Sequence, residues 1–371
     1  MNQQVSSPAQ GLFDAIARSW KLPATALTLC FSVDGKTLAV LRQDGAISLA
    51  PMEDPEPPDA RLRVAGDTGL PTIQARRHPP LPLISTTILS PEPMHLAPYG
   101  KDSFLAAGNA FWVIAADGSV TPKELPLPGN VTKLAHAQGT SSIAIISDHR
   151  LFLLSEGEEL MECPVKLPAD VTAICFSASG NHLALGCLNG TIILNLADAA
   201  SQLITLPGTP ESISWEESGL RLGCALGADG LAIIDVKHGT FVIFSDFPAP
   251  TLQLDWSVPG KALLASGAFR IAAWVAGEQP IKNSRDGALV TGQTGLIPVQ
   301  AVAAHPTKSL AAAGYVNGQV TVASIGSTEE LSVKPIGASV EALGWSEQGQ
   351  LVVCDTEDNL AILTFPKLFF K

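Results

Sequence analysis

An aromatic residue followed four positions later by glycine recurs along the chain, each time just ahead of an apolar run. Successive pairs lie about 40 residues apart, a period typical of arrays of small β-sheets. Because the period sets the size of the repeating unit, it limits the possible folds more than any other feature. The five pairs are Phe31/Gly35, Phe176/Gly180, Trp215/Gly219, Trp256/Gly260 and Trp345/Gly349.

Three weaker copies fill the gaps and begin near Met94, Thr132 and Ala301. Each of the eight copies is typical of a strand, a tight turn, a second strand, a hairpin and a third strand. Several second hairpins carry Asn-Gly or Asp-Gly, the pairs favoured in type I′ turns because both central residues there need positive φ. Strand-like segments between copies add a fourth, outer strand. The sequence therefore predicts an all-β fold, a single β-propeller with eight four-stranded blades. Seven is the alternative, if the copy at Met94 is a loop. The four hairpin pairs are Asp44-Gly45, Asn189-Gly190, Asp229-Gly230 and Asn317-Gly318.

The last copy ends near Phe365 after three strands, so its sheet is one strand short. Residues 16–22 precede the first copy, and we predict that they supply the missing strand and close the ring. Closure of this kind removes exposed sheet edges. Residues 1–10 are then a flexible tail, and residues 11–371 form the propeller.

The segment CFSASGNHLALGCLNGTIILNL is similar to the strand a, b and c pattern of the WD-repeat family. The resemblance covers the chain from about Phe13 to Phe365 and is closer to bacterial, divergent members. The Trp-Asp dipeptide of the family is absent: Ile234-Asp235 and Trp274-Val275 stand in its place. We therefore expect the blades to be held by apolar packing, with Trp215, Trp256 and Trp345 in the core.

Two connections exceed the repeat length, at about 51–93 and 278–298, and long loops are often functional. In the family, the connection that enters strand a shares a face with the b–c hairpin, so both excursions are expected on that face. They gather the positive charge of an otherwise acidic chain. We predict that they bind an acidic protein partner or a phosphate group; ordinary solvated loop charge is the alternative. The predicted partner-binding residues are Arg76, Arg77, His78, Lys282 and Arg285.

The net charge of −12 argues against nucleic-acid binding and against an anionic membrane surface. No apolar run is long enough to span a bilayer, and the N-terminus lacks the pattern of a secretory signal. The six cysteines favour small buried side chains over a disulfide set. We therefore expect a cytoplasmic protein, monomeric on its own, that binds a protein partner.

No two of the seven histidines lie three to five residues apart, and no nucleophile elbow, phosphate-binding loop or dinucleotide fingerprint appears. We predict no catalytic residues, no metal and no cofactor. The leading hypothesis is a non-catalytic protein-interaction scaffold or assembly factor that uses one face of the propeller. The alternatives are a propeller enzyme and a small-ligand sensor, each with its site at the central channel.

Overall fold

The computed structural model describes residues 11–64, 71–90, 94–138, 141–155, 159–168, 170–275, 283 and 285–370. Within these residues, eight four-stranded antiparallel sheets follow one another along the chain. Innermost strands of neighbouring sheets contact each other around the ring, including those of the first and last. The predicted eight-bladed propeller is confirmed, and the copies at Met94 and Thr132 are blades.

The blades are numbered 1 to 8 along the chain, and their strands a to d from the channel outwards. Strands a are Ala26–Phe31, His95–Tyr99, Val131–His136, Val171–Phe176, Ser212–Trp215, Leu254–Ser257, Val299–Ala304 and Val340–Trp345. Strands b are Thr37–Arg42, Ser103–Ala107, Ile143–Ser147, His182–Cys187, Arg221–Ala225, Ala262–Ala265, Leu310–Tyr315 and Leu351–Asp355. Strands c are Ile47–Pro51, Phe111–Ile114, Arg150–Leu154, Gly190–Asn195, Leu231–Asp235, Ile271–Val275, Val320–Ser324 and Asn359–Leu363. Strands d are Ile84–Ser85, Val120–Lys123, Leu160–Cys163, Ser201–Thr205, Thr240–Phe244, Ala288–Thr291, Glu330–Lys334 and Ala17–Lys21.

Strand d of blade 8 comes from the other end of the chain, as predicted. Ala17–Lys21 pairs antiparallel with Asn359–Leu363, and Ala17 lies opposite Leu363. A short helix, Leu12–Ile16, leads into this strand. The predicted tail, residues 1–10, lies outside the described residues.

The apolar core lies between neighbouring blades, as expected from the missing Trp-Asp dipeptide. Trp215 and Trp256 are buried, and Trp345 is partly buried. Each indole N–H donates to strand a of the preceding blade, to the carbonyl of Cys175 (3.0 Å), Ser214 (2.9 Å) and Ala303 (3.2 Å) respectively. The recurring tryptophans therefore join adjacent blades by packing and by a hydrogen bond. The six cysteines are unpaired and buried or partly buried.

The four b–c hairpins with Asn-Gly or Asp-Gly differ from the predicted type I′ geometry, since none of these pairs has positive φ at both residues. At Asp44-Gly45 and Asn317-Gly318 only the glycine has positive φ, 79° and 82°. In each hairpin the glycine N–H donates to the residue three positions earlier, so a type I turn is followed by a left-handed glycine. A Cβ on Gly45 would stand 1.7 Å from the Ser90 carbonyl oxygen, so no larger residue fits there.

Both excursions interrupt the connection between strands c and d. The first leaves blade 1 at Pro51 and returns at Ile84, and the second joins Val275 to Ala288 in blade 6. We call the side with the a–b turns and c–d connections the lower face, and the side with the b–c hairpins and d–a connections the upper face. The prediction that the excursions lie with the b–c hairpins is therefore wrong. Strand d of blade 1 has only two residues, so the repeat pattern did not show where the first excursion ends.

The first excursion has structure of its own. It contains a short helix, Pro58–Arg61, and a hairpin of Leu62–Val64 with Pro71–Ile73. Ile73 packs against the core between blades 7 and 8. We call residues 52–83 the blade-1 insertion.

Candidate binding surfaces

The blade-1 insertion crosses the seam where the ring closes. Arg18, on the closing strand, is 2% exposed and donates to three carbonyls at the start of the insertion. The acceptors are Pro51 (2.7 Å), Met52 (2.8 Å) and Glu53 (2.8 Å). Near the end of the insertion, the Leu81 carbonyl accepts the indole N–H of Trp20 at 2.8 Å. The closing strand is therefore hydrogen-bonded to the insertion near the start of the insertion, through Arg18, and near its end, through Trp20.

Arg61 is a second buried link in the same seam. Its guanidinium donates to the carbonyls of Ala15 (2.6 Å), Glu56 (2.9 Å) and Gln74 (2.5 Å). Ala15 belongs to the helix ahead of the closing strand, so Arg61 joins that helix to the insertion. This cation stabilises the closed ring, and its side chain is buried.

Arg76, a predicted partner-binding residue, is paired within the insertion. Two of its nitrogens donate to the carboxylate of Asp54, each at 2.7 Å, and the two side chains are only 13% and 2% exposed. Burial alone would raise the pKa of Asp54, but the hydrogen bonds and charge of Arg76 outweigh it, and the pKa lies below its ordinary value. Arg76 therefore has a structural partner already.

Arg77 and His78 are exposed on the lower face. They flank Glu56, which accepts the backbone N–H of Arg77 at 2.8 Å and contacts the His78 imidazole. Together with Arg61 and Arg63 they line a cleft of about 800 Å³. We call this the lower cleft.

The other two predicted residues belong to blade 6. Arg285 is exposed in its c–d connection, and Lys282 lies outside the described residues. Blade 6 and blade 1 are not neighbours in the ring. The structure thus brings together Arg77 and His78 of the five, and adds Arg63 from the same excursion.

A row of exposed apolar side chains occupies the upper face of blades 6, 7 and 8. Leu296 is 89% exposed and Ile336 is 73% exposed, so most of each apolar side chain faces solvent. All members belong to b–c hairpins or d–a connections. We call this set the upper apolar surface; it consists of Leu252, Phe269, Leu296, Ile297, Val316 and Ile336.

Backbone hydrogen bonds join the loops that carry this surface. The connection into blade 7 donates from Gly295 to Phe269 (2.9 Å) and from Val299 to Ala268 (2.8 Å), and so adheres to the hairpin of blade 6. The connection into blade 8 donates from Gly337 to Asn317 (2.9 Å) in the hairpin of blade 7. The loops that carry the apolar side chains are therefore joined to one another across three blades.

The lower end of the central channel forms a cavity of about 650 Å³. Its walls come from the ends of strands a and the turns that follow, in blades 3 to 8. Its lining includes Trp215, Trp256 and Trp345 together with His136 and His305. We call this the channel cavity.

Asp255 is the carboxyl inside the channel cavity. It lies on strand a of blade 6, and its two oxygens accept the backbone N–H groups of Trp256 and Ala304, each at 2.9 Å. Burial raises its pKa to about 6. Burial lowers the pKa of His136 and of His305, so both imidazoles are neutral at pH 7.

Sequence reasoning did not single out Asp255. The available signal was a carboxyl residue in the innermost strand, one position before a recurring tryptophan, so that the two side chains point to opposite faces of the sheet. His136 and His305 lie at the end of strand a and just after it, as the repeat predicted.

In comparisons with known proteins, no family model and no curated protein matches the chain. In the described part of the chain, no three His, Cys, Asp or Glu side chains are grouped so as to hold a metal ion. None of the helices there is long and apolar enough to cross a bilayer.

Proposed function

We propose that the protein is a non-catalytic, cytoplasmic interaction scaffold, a divergent relative of the WD-repeat propellers, monomeric on its own. It holds a protein partner through the upper apolar surface. The observation that carries the proposal is the set of six exposed apolar side chains on interlocked loops of three successive blades. Single exposed apolar residues are ordinary, whereas contiguous groups mark interaction sites.

The rigidity of this surface favours tight binding. Because the loops are already joined by hydrogen bonds, little conformational entropy is lost when a partner docks. Covering a side chain such as Leu296 contributes about 1.5–3 kcal/mol. Two such residues at the centre of an interface would act as its main anchors.

The lower cleft is a second contact, for an acidic segment of a partner. Arg63 and Arg77 are exposed at its edge, and Glu56, the one carboxylate among the described residues of its lining, already accepts the Arg77 N–H and contacts His78. An acidic peptide would therefore meet uncompensated positive charge on a chain whose net charge is −12. Contact of this kind weakens as salt is added.

The non-catalytic part of the proposal rests on how the channel side chains are used. Asp255 accepts a backbone N–H at each carboxyl oxygen, and His305 Nδ1 accepts the N–H groups of Thr307 (3.1 Å) and Lys308 (3.2 Å). These groups hold a strand and a turn in place. Neither is presented to the cavity as a base–nucleophile pair.

The test is affinity capture followed by titration of the recovered partner. The double variant Leu296→Asp/Ile336→Asp places two charges in the upper apolar surface, and we expect it to bind at least tenfold more weakly, a loss of about 1.4 kcal/mol or more. The matched control is Leu203→Asp/Leu220→Asp, which changes two other exposed leucines, 63% and 58% exposed, on a blade edge and on the lower face. It should bind like the wild type.

All three proteins should melt at the same temperature, since none of the four positions is buried. Equal affinity of the two double variants would overturn the proposal.

A further inference from the structure

We propose that the channel cavity binds a small organic cation, an alkylammonium group, with its charge at Asp255 and its apolar stem against the tryptophans. The inference is independent of the proposed scaffold function. The cavity volume of about 650 Å³ falls in the usual range for small-molecule sites. It is large enough for a four- or five-carbon amine and for the side chain of a lysine.

The tryptophans are apolar members of a mixed lining and have no free donor. Each indole N–H of Trp215, Trp256 and Trp345 is already used on a carbonyl of the preceding blade. The rest of each indole ring is hydrocarbon and can contact an alkyl stem. Tryptophan rings also attract cations, with about 0.5–1 kcal/mol at exposed sites and more where water is excluded.

Asp255 is the charge that the cavity offers. Each carboxylate oxygen can accept two hydrogen bonds, and each oxygen of Asp255 accepts one. The carboxylate is held in place by strand a of two blades and keeps acceptor capacity on both oxygens. An ammonium group has three donors and fits this arrangement.

The rest of the lining does not compensate this charge. Glu217 and Glu347 stand exposed at the rim, and the described residues of the wall include neither lysine nor arginine. His305 Nδ1 accepts from the following turn, so its proton is on Nε2 and the ring is neutral. A cation therefore enters a site with negative charge and no competing positive side chain.

The binding should depend on pH through Asp255. The titratable groups that line the cavity are Asp255, Glu217, Glu347, His136, His305 and Cys175. Burial raises the pKa of Asp255 to about 6 and that of Cys175 to about 11, so the thiol stays neutral while the carboxyl titrates. Since a cation binds the ionised carboxyl, affinity should rise as pH increases from 5 to 7.5. At pH 5 about a tenth of Asp255 is ionised, so affinity should be about tenfold lower there.

The experiment is calorimetric titration of the full chain with n-butylammonium, which stays charged throughout this range. 1-Butanol is the neutral control of the same length, and we expect it to bind at least tenfold more weakly. A blocked lysine, N-acetyl-lysine methylamide, distinguishes the source. Binding as tight as that of butylammonium indicates a peptide side chain, and exclusion indicates a free amine.

Asp255→Asn should lower affinity for butylammonium at least tenfold. The matched control is Glu341→Gln, a partly buried acid on strand a of blade 8 that lies toward the other end of the channel, and it should bind like the wild type. If Asp255→Asn does not fold, the wild-type titrations at pH 5 and 7.5 decide. Equal binding of butanol and butylammonium, no pH dependence, or no binding at 10 mM would each overturn the proposal; that concentration corresponds to a free energy of about −2.7 kcal/mol.

Discussion

The two faces of the ring differ in whether their prominent side chains already have partners within the protein. On the lower face the longest loop holds four arginines, yet Arg61 and Arg76 are used to fix that loop and the closing strand. On the upper face the loops are short, and they leave Leu296 and Ile336 fully open. Loop length and charge are therefore poor guides to a partner site. The hydrogen bonds that each side chain already makes are a better one.

The largest expected effect concerns the seam that the lower face protects. Deleting residues up to Leu22 removes strand d of blade 8 together with Arg18 and its three hydrogen bonds. We expect two open sheet edges, aggregation and loss of cooperative melting. Deleting only residues 1–10 should leave the melting temperature unchanged. Thermal scans and gel filtration of both truncations measure this, and equal stability would show that the seam does not depend on this strand.

The core aromatics come next. Trp215→Ala and Trp256→Ala should each destabilise the fold by about 3–5 kcal/mol, because each leaves a cavity and an unpaired carbonyl on the preceding blade. Trp345 is partly buried, so its loss should cost less. Denaturant unfolding gives the three values. A cost below about 1 kcal/mol for Trp215→Ala would mean that this contact between blades contributes little to the stability of the fold.

A charge reversal sharpens the contrast between paired and free cations within the insertion. Arg76→Glu places two carboxylates together in a site where Asp54 is 2% exposed, and it should cost about 3 kcal/mol or more. Arg77→Glu, one residue further on, changes an exposed side chain and should cost less than about 0.5 kcal/mol. Denaturant midpoints of the two variants compare them directly. Equal midpoints would show that the buried ion pair of Arg76 contributes no more to stability than the exposed side chain of Arg77.

The smallest expected effect on stability comes from the ion pair of Arg76 and Asp54 at acidic pH. The pKa of Asp54 is lower in the folded protein than in the unfolded chain, so its contribution to stability is present above its unfolded pKa near 4 and is lost as pH falls below it. The free energy of unfolding of the wild type should therefore decrease below pH 4 more steeply than that of Asp54→Asn/Arg76→Met. Parallel pH profiles would contradict this.

The aromatic and glycine spacing, together with the three weaker copies, predicted the propeller and its eight blades, and the missing strand of the last copy predicted the closing strand. These depend on period and on strand count, which a sequence displays directly. The face of the insertions was not predictable, because Ile84–Ser85 is too short to stand out as a strand. Because that strand was missed, the excursion was assigned to the connection between strands d and a, which lies on the upper face, and not to the connection between strands c and d on the lower face.

The sites were harder to predict for a related reason. Arg76 is adjacent to Arg77 in sequence, but its partner Asp54 lies 22 residues away across the insertion. Asp255 is one acid among many until the ring closes and gathers six strand ends around it. Both facts depend on contacts that only the folded chain creates.

The central claim is that the upper apolar surface, and not the insertion on the lower face, is the main contact with the partner. Hydrogen–deuterium exchange of the protein with and without its captured partner tests this most directly. We expect protection in residues 292–298 and 335–338, the connections that carry Leu296 and Ile336, with weaker and salt-sensitive protection at residues 71–78. Strong protection confined to residues 71–78, with the upper connections unchanged, would contradict the account.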